Sequence, residues 1–361
     1  MPAYPWDALS GATRQARAHP GGIVDLSVGT PVDPVPPVVQ DALAAGADSP
    51  GYPATHGTAA VREAAASWLA RDHGVEVSPD AVLPVLGTKE LVAWLPTLLH
   101  CGPGDAVVHP DLAYPTYDIG ARLAGARPVR AGDLAAQDRE GRDLERRDTA
   151  RETVRVRLAW LNSPANPTGE VLSASALRDA IADARERGAI LASDECYIGL
   201  AWEAKPLSVL HPSVCGGSHD GLLAVHSLSK RSNLAGYRAG FVTGDPALVA
   251  ALLEVRKHAG MIVPGPVQAA MTAALNDDGH ALAQRARYAA RRARLRPALE
   301  AAGWQVSHSQ AGLYLWARHP AYDGWGSVAV LAGAGILVAP GDFYGPSGAG
   351  HIRVALTATD E

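Results

Sequence analysis

Along this chain, short apolar runs that close on a polar or glycine-rich turn alternate with alanine-rich stretches of helical character. That alternation is the pattern of an α/β fold with a mostly parallel sheet. "AVLPVLGTKE" reads as a strand that breaks at Gly87 and opens a helix, "KELVAWLPTLLH". "GDAVVHPDLAYPTY" and "GARPVRA" give two more strands, and "VRVRLAWLNSPANPTG" runs a strand into a proline-rich loop. "RGAILASDECYIGLAW", "GLLAVHSLSK" and "GYRAGFVTGD" complete the set. From Arg256 to Ala302 the pattern is helical and stops at a glycine. The last segment, from "GLYLWARHP" to "HIRVAL", suits a short sheet with a helix in a smaller lobe.

Length and composition narrow the picture only a little. The 361 residues exceed one small core and suit two packed lobes. We expect a large domain over 40–267, with 1–39 and 268–361 forming an N-terminal arm and a small α+β domain. A net charge of −5 gives no electrostatic footprint for nucleic acid or an anionic membrane. The N-terminal "MPAYPWDALSGATRQARAHP" is neither a signal peptide nor a membrane span. Cys101, Cys196 and Cys215 have no metal-ligand spacing, so reduced thiols and a cytoplasmic setting are expected. The mixed-charge stretch over 133–153 reads as a solvated surface connection.

Candidate chemistry gathers where strands end. Four loops each follow a strand: Gly87-Thr88-Lys89, Asn162 to Gly169, Asp194 to Tyr197, and Ser227 to Lys230. In an open α/β sheet such loops meet at the carboxyl edge, where ligands bind. Lys230 is one of only four lysines and sits at the mouth of an apolar run. A buried ammonium there is costly unless it is paired, neutralised or chemically used. Read one at a time, these residues have ordinary explanations: Asp194 as a turn cap, Asn166 as a turn former before proline, Tyr114 as a core tyrosine. Together they supply a phosphate cradle, a hydrogen-bond donor, a carboxylate, a phenol and an amine, the inventory needed to hold pyridoxal 5′-phosphate (PLP).

"NSPANPTG", "SDECY", "SLSK…AGYRAG" and "HIRVAL" occur in the order and spacing of the fold-type I PLP-dependent aminotransferases, class I/II. The resemblance runs from "VDLSVGTPVDPVP" to the terminal "RVAL", and its wording is similar to actinobacterial N-succinyldiaminopimelate aminotransferases. It implies that Lys230 holds the cofactor aldehyde and then moves the Cα proton, while Asp194 keeps the pyridine nitrogen protonated. Asn166 and Tyr197 would donate to the ring oxygen, and Tyr114 would stack on the ring. Gly87, the Thr88 and Lys89 backbone, Ser227, Ser229 and Arg238 would hold the phosphate. Arg353 would grip the substrate carboxylate, with Gly29 and Asn166 beside it. Tyr52 would reach the phosphate of a neighbouring subunit, so the implied assembly is a homodimer with shared active sites.

Two features depart from the resemblance. Cys196 stands in "DECY" where an aliphatic residue is usual, and is read as packing. The chain also ends soon after the arginine strand. The expected activity is amino transfer between an amino acid and a 2-oxo acid, with N-succinyl-L,L-2,6-diaminopimelate and 2-oxoglutarate or glutamate as the named pair. Other aminotransferases, a C–S lyase on the same fold, and a PLP-binding sensor module are the alternatives.

Overall fold

The computed structural model describes residues 1–136 and 155–360. Its strands are β1 (Val24–Asp25), β2 (Val82–Leu86), β3 (Asp105–His109), β4 (Arg127–Arg130), β5 (Arg155–Asn162), β6 (Ile190–Asp194) and β7 (Leu222–Ser227). There follow β8 (Ala239–Gly244), β9 (Gln305–Ser307), β10 (Tyr314–Arg318), β11 (Ile336–Leu337), β12 (Ala339–Pro340) and β13 (Ile352–Ala355). A seven-stranded sheet runs in the order β2-β8-β7-β6-β5-β3-β4. Only β8 opposes its neighbours, pairing antiparallel with β2 and β7. The other ladders are parallel. β2 carries Pro84 mid-strand, which the sheet tolerates because β2 lies at an edge where a missing N–H breaks no second ladder.

The central strands are buried on both faces, as a sheet covered by helices on both sides requires. Alternation along β7 divides its side chains between two cores. Leu222 and Ala224 pack with Trp68, Leu177 and Phe241, while Leu223 and Val225 pack with Leu91, Tyr117 and Trp160. The helices Ala174–Glu186 and Gly265–Asn276 cover the first face, and Thr88–Leu98 and Thr116–Leu123 cover the second.

A four-stranded antiparallel sheet, β12-β13-β10-β9, and the β1–β11 pair build the smaller lobe from both chain ends. Its core joins Leu9, Leu26, Tyr288, Leu313, Leu315 and Val354. The helical run expected over 256–302 is three helices, not one. The first, Pro246–Ala259, stops at Gly260, whose φ of +67° ends it in the left-handed region. Gly265–Asn276 follows, and the Asp277 carboxylate then accepts from the Gly279 and His280 N–H groups to start Asp278–Ala301. The charged connection falls mostly on 137–154, outside the described residues. Among the described residues no helix is long and apolar enough to cross a membrane.

Candidate active site

The register of the central ladder places Asn162 beside Asp194, and Asp194 beside Val225, so β5, β6 and β7 end together. Their loops, the turn after β2, and the small lobe enclose a cleft of about 770 Å³. Thr88, Lys89, Tyr114, Asn166, Asp194, Tyr197, Ser227, Ser229, Lys230, Arg238, Gly29 and Arg353 all line it. Gly87 abuts it through Arg238. Tyr52 does not belong to it: its side chain projects fully into solvent.

One end of the cleft suits an anion. Gly87 has φ +76°, which calls for glycine, and the missing Cβ lets the Arg238 guanidinium lie against the turn. The helix Thr88–Leu98 begins with no side-chain cap, leaving its first N–H groups free for a phosphate. Arg238 itself holds φ +57° and donates from Nη1 to the Ala235 carbonyl at 2.7 Å. A non-glycine residue held in that region marks a conformation imposed by its surroundings. Ser227 Oγ accepts from the Ser229 N–H at 3.1 Å, fixing the short turn that leads to Lys230.

Asp194 is buried at the opposite end. Tyr117 donates to its Oδ2 at 2.8 Å, and the Cys196 N–H donates to Oδ1 at 3.2 Å. Burial pushes its carboxyl above the usual range, against the pull of those hydrogen bonds. Such an acid is relieved by a cationic ring nitrogen. Cys196 Sγ reaches Thr88 Oγ1 at 3.3 Å, and burial drives its thiol well up, which suits packing rather than nucleophilic attack.

A chain of hydrogen bonds ties this acid to the arginine across the cleft. Asn162 Nδ2 donates to the Asp194 carbonyl at 2.9 Å, and its Oδ1 accepts from the Asn166 N–H at 2.7 Å. Arg353 Nη1 donates to Asn166 Oδ1 at 2.9 Å, and Nη2 to the Ser27 carbonyl at 2.7 Å. With Oδ1 so used, the Asn166 NH2 group is the part left to donate elsewhere. Arg353 Nε is buried without a partner, a donor kept in reserve for a ligand oxygen.

Lys230 donates to the Gly29 carbonyl. Burial is the main force holding its ammonium below the ordinary lysine range; Arg353 and Arg238 add to it, while Tyr314 and Cys196 oppose. A lysine so placed is a readier nucleophile than one in water. Tyr197 meets Tyr314 hydroxyl to hydroxyl at 3.1 Å.

Three contributors escape a reading of motifs. Tyr117 and Tyr314 look like core tyrosines in "DLAYPTY" and "GLYLW", and nothing local marks either as polar. The first six residues also line the cleft. Tyr4 lies under Lys89 Nζ at 5.4 Å, and Trp6 lies 5.9 Å from the Arg353 guanidinium. The "YPW" aromatic cluster was the available signal.

The donor set fits PLP: a cationic cradle with free N–H groups for the phosphate, a buried carboxylate for the ring nitrogen, and an amine for the aldehyde. The comparisons agree. The family Aminotransferase class I and II matches residues 22–361. The probable aminotransferase Rv1178 of Mycobacterium tuberculosis is 61% identical, over 100% of this chain and 83% of that protein. The 4-dedimethylamino-4-oxo-anhydrotetracycline transaminase OxyQ of Streptomyces rimosus is 58% identical, over 100% of this chain and 96% of its own length. The solved probable N-succinyldiaminopimelate aminotransferase of Thermus thermophilus superposes with a TM-score of 0.83 at 29% identity, over 99% of this chain and 96% of that one. A lysine, a carboxylate and an arginine facing one cleft at the carboxyl edge of such a sheet, in a chain matched almost end to end, make this protein a member of the PLP-dependent class I and II aminotransferases.

Proposed function

We propose that this aminotransferase takes an amino donor with a second, distal carboxylate, and that N-succinyl-L,L-2,6-diaminopimelate with 2-oxoglutarate or glutamate is its substrate pair. The charge inventory of the cleft carries the reading. Its charged side chains are Lys89, Lys230, Arg238, Arg353 and a single acid, Asp194. The cofactor phosphate takes Arg238, its aldehyde takes Lys230, its ring nitrogen takes Asp194, and the α-carboxylate takes Arg353. Lys89 is left over at the mouth, and among the described residues its ammonium meets the Tyr4 ring rather than a carboxylate. A surplus cation beside the substrate path favours a dicarboxylate.

When bound, PLP supplies the electron sink that makes a Cα proton removable. The chain does the rest. Arg353, bonded to Asn166 and Ser27, holds the α-carboxylate with two parallel hydrogen bonds and turns Cα–H toward Lys230. Lys230 Nζ, its basicity lowered, would accept that proton from Cα and hold it for return to the carbon beyond the amino nitrogen. Tyr114, Cys196 and the small residues around Ser227 would confine the ring.

The fully exposed Tyr52 supports a homodimer in which it completes a partner's phosphate site. We keep the division into 40–267 and 1–39 with 268–361, because the seven-stranded sheet falls in the first span and both smaller sheets in the second; the helix Gly265–Asn276, which that boundary cuts, packs on the large sheet. A cytoplasmic setting belongs to the same reading, on the number and spacing of the three cysteines in the sequence. The similarity to OxyQ favours a second reading, a polycyclic aromatic ketone as amino acceptor, for which Tyr4, Trp6 and Tyr114 offer stacking surface.

The test is a half-reaction screen that follows the cofactor absorption band as amino donors are added. N-succinyl-diaminopimelate and glutamate should convert the band, and Lys89→Ser should raise their KM about tenfold while leaving alanine, with no distal carboxylate, little affected. A response only to an aromatic amine or amino acid, with none to glutamate or diaminopimelate derivatives, overturns the dicarboxylate reading.

A further inference from the structure

Tyr314 lies at the point where the cofactor end and the carboxylate end of the cleft meet. It is buried on β10, diagonal to Arg353 on β13, since Tyr314 pairs with Ala355 and Trp316 with Arg353. The diagonal brings the Arg353 guanidinium over its ring, 3.9 Å from the centroid, closer than over Tyr344 at 4.9 Å or Trp6 at 5.9 Å. The other end of the side chain meets Tyr197 at 3.1 Å. It also crowds Gly29, where any Cβ would collide with the Tyr314 hydroxyl, so glycine at 29 makes room for that hydroxyl.

We propose that Tyr314 is a positioning residue for both ends of the site: its hydroxyl donates to Tyr197, and its ring seats the Arg353 guanidinium. The inference rests on the reading in which Tyr197 donates to the cofactor ring oxygen. A phenol has one proton. If Tyr197 gives its own to the cofactor, the 3.1 Å contact must run from Tyr314 to Tyr197.

Accepting that bond strengthens Tyr197 as a donor. It then draws density from the ring oxygen and weakens the base at the lysine-linked nitrogen. The ionisable groups facing this region are Lys89 after β2, Tyr114 after β3, Asp194, Cys196 and Tyr197 from the β6 end, Arg238 ahead of β8, Tyr314 from β10, and Arg353 from β13 with Tyr344 against it. Of these, only Tyr314 touches both Tyr197 and Arg353 among the contacts of the described residues. On the carboxylate side, a cation held against an aromatic face in a desolvated pocket gains orientation as well as energy. The ring fixes the guanidinium plane that Asn166 and Ser27 hold at its edges.

The experiment is a spectroscopic pH titration of the lysine-linked cofactor in wild-type holoenzyme, Tyr314→Phe, Tyr197→Phe and the double variant. Tyr314→Phe should move the midpoint up by about half a pH unit to one unit, the equivalent of one hydrogen bond. In the Tyr197→Phe background the same change should move it by less than about 0.2 unit, because the relay is already broken. Tyr314→Leu, which also removes the ring, should raise the KM for glutamate roughly tenfold above that of Tyr314→Phe. An unmoved midpoint in Tyr314→Phe, or an equal shift with and without Tyr197, overturns the proposal. Purified protein that shows no lysine-linked band overturns the underlying reading as well.

Discussion

Glu195, next to Asp194, offers a quantitative test of how the interior behind the site is charged. Its side chain is fully enclosed, with Oε1 accepting from the Val209 N–H at 2.8 Å and Oε2 without a partner. His226 Nε2 lies 3.6 Å from that oxygen, and neither imidazole nitrogen has a hydrogen bond. The pair resembles a salt bridge in distance alone. Burial pushes Glu195 from 4.5 up to about 7, with the Val209 N–H opposing, and burial with His73 drives His226 well below its ordinary value. Both groups are therefore held toward their neutral forms, as expected where desolvation exceeds the Coulombic gain.

The consequence for stability has a definite sign. The folded state binds the Glu195 proton more tightly than the unfolded chain does, so this site's contribution is full below about pH 4.5 and is lost as pH rises toward 7. At about 1.4 kcal/mol per pH unit, the loss is about 3 kcal/mol. Glu195→Gln keeps the shape and the acceptor for Val209, adds an amide donor facing His226, and removes the titration. Urea midpoints of both holoproteins, measured from pH 5 to 8.5 at fixed ionic strength, should converge or favour wild type at the acid end. They should favour the variant by about 2–3 kcal/mol at the alkaline end. Parallel curves would show Glu195 ionised throughout. A variant penalised most between pH 5 and 7 would mean a charged pair with His226, and either outcome refutes the reasoning.

Two further changes probe the scaffold and the chemistry. Arg256 is fully buried and grips Glu90 at 2.9 and 3.2 Å, pinning the helix Thr88–Leu98 that follows the Gly87 turn. Arg256→Met should cost about 3–5 kcal/mol in the urea midpoint by stranding that carboxylate, and Glu90→Gln/Arg256→Met should recover at least half. Lys230→Ala should abolish transamination while far-ultraviolet circular dichroism stays native; retained turnover would remove Lys230 from its role.

What was legible in the chain follows from which interactions are local. The seven strands of the large sheet read correctly because most are short apolar runs bounded by turn chemistry, and β4 and β5, which carry arginines, sit between the same turn signals. Gly87 and the "SLSK" turn declare themselves because backbone geometry there restricts residue type. The order of the loops then implied one cleft, because parallel strands place their carboxyl ends on one edge. The helical breaks at Gly260 and Asp277 were also written locally, as a left-handed stop and a cap, but the alanine-rich periodicity on both sides masks them.

Tyr117 and Tyr314 were invisible for a different physical reason. Each has an apolar ring that satisfies the core pattern, Tyr117 against Trp160 at 5.0 Å and Tyr314 against Arg353, so periodicity assigns both to packing. Their function lies in one oxygen whose partner is 77 or 117 residues away along the chain. No window of sequence contains both ends of such a bond. The sequence motifs therefore mark the groups that line the cleft, while the groups hydrogen-bonded behind them are drawn from the core by tertiary packing. The same division explains Lys230: its place was readable from the strand it follows, but its lowered basicity comes from enclosure and from two distant arginines, Arg238 ahead of β8 and Arg353 on β13. A nucleophilic lysine in this fold is thus specified locally and activated globally, and the second part had to be read from the structure.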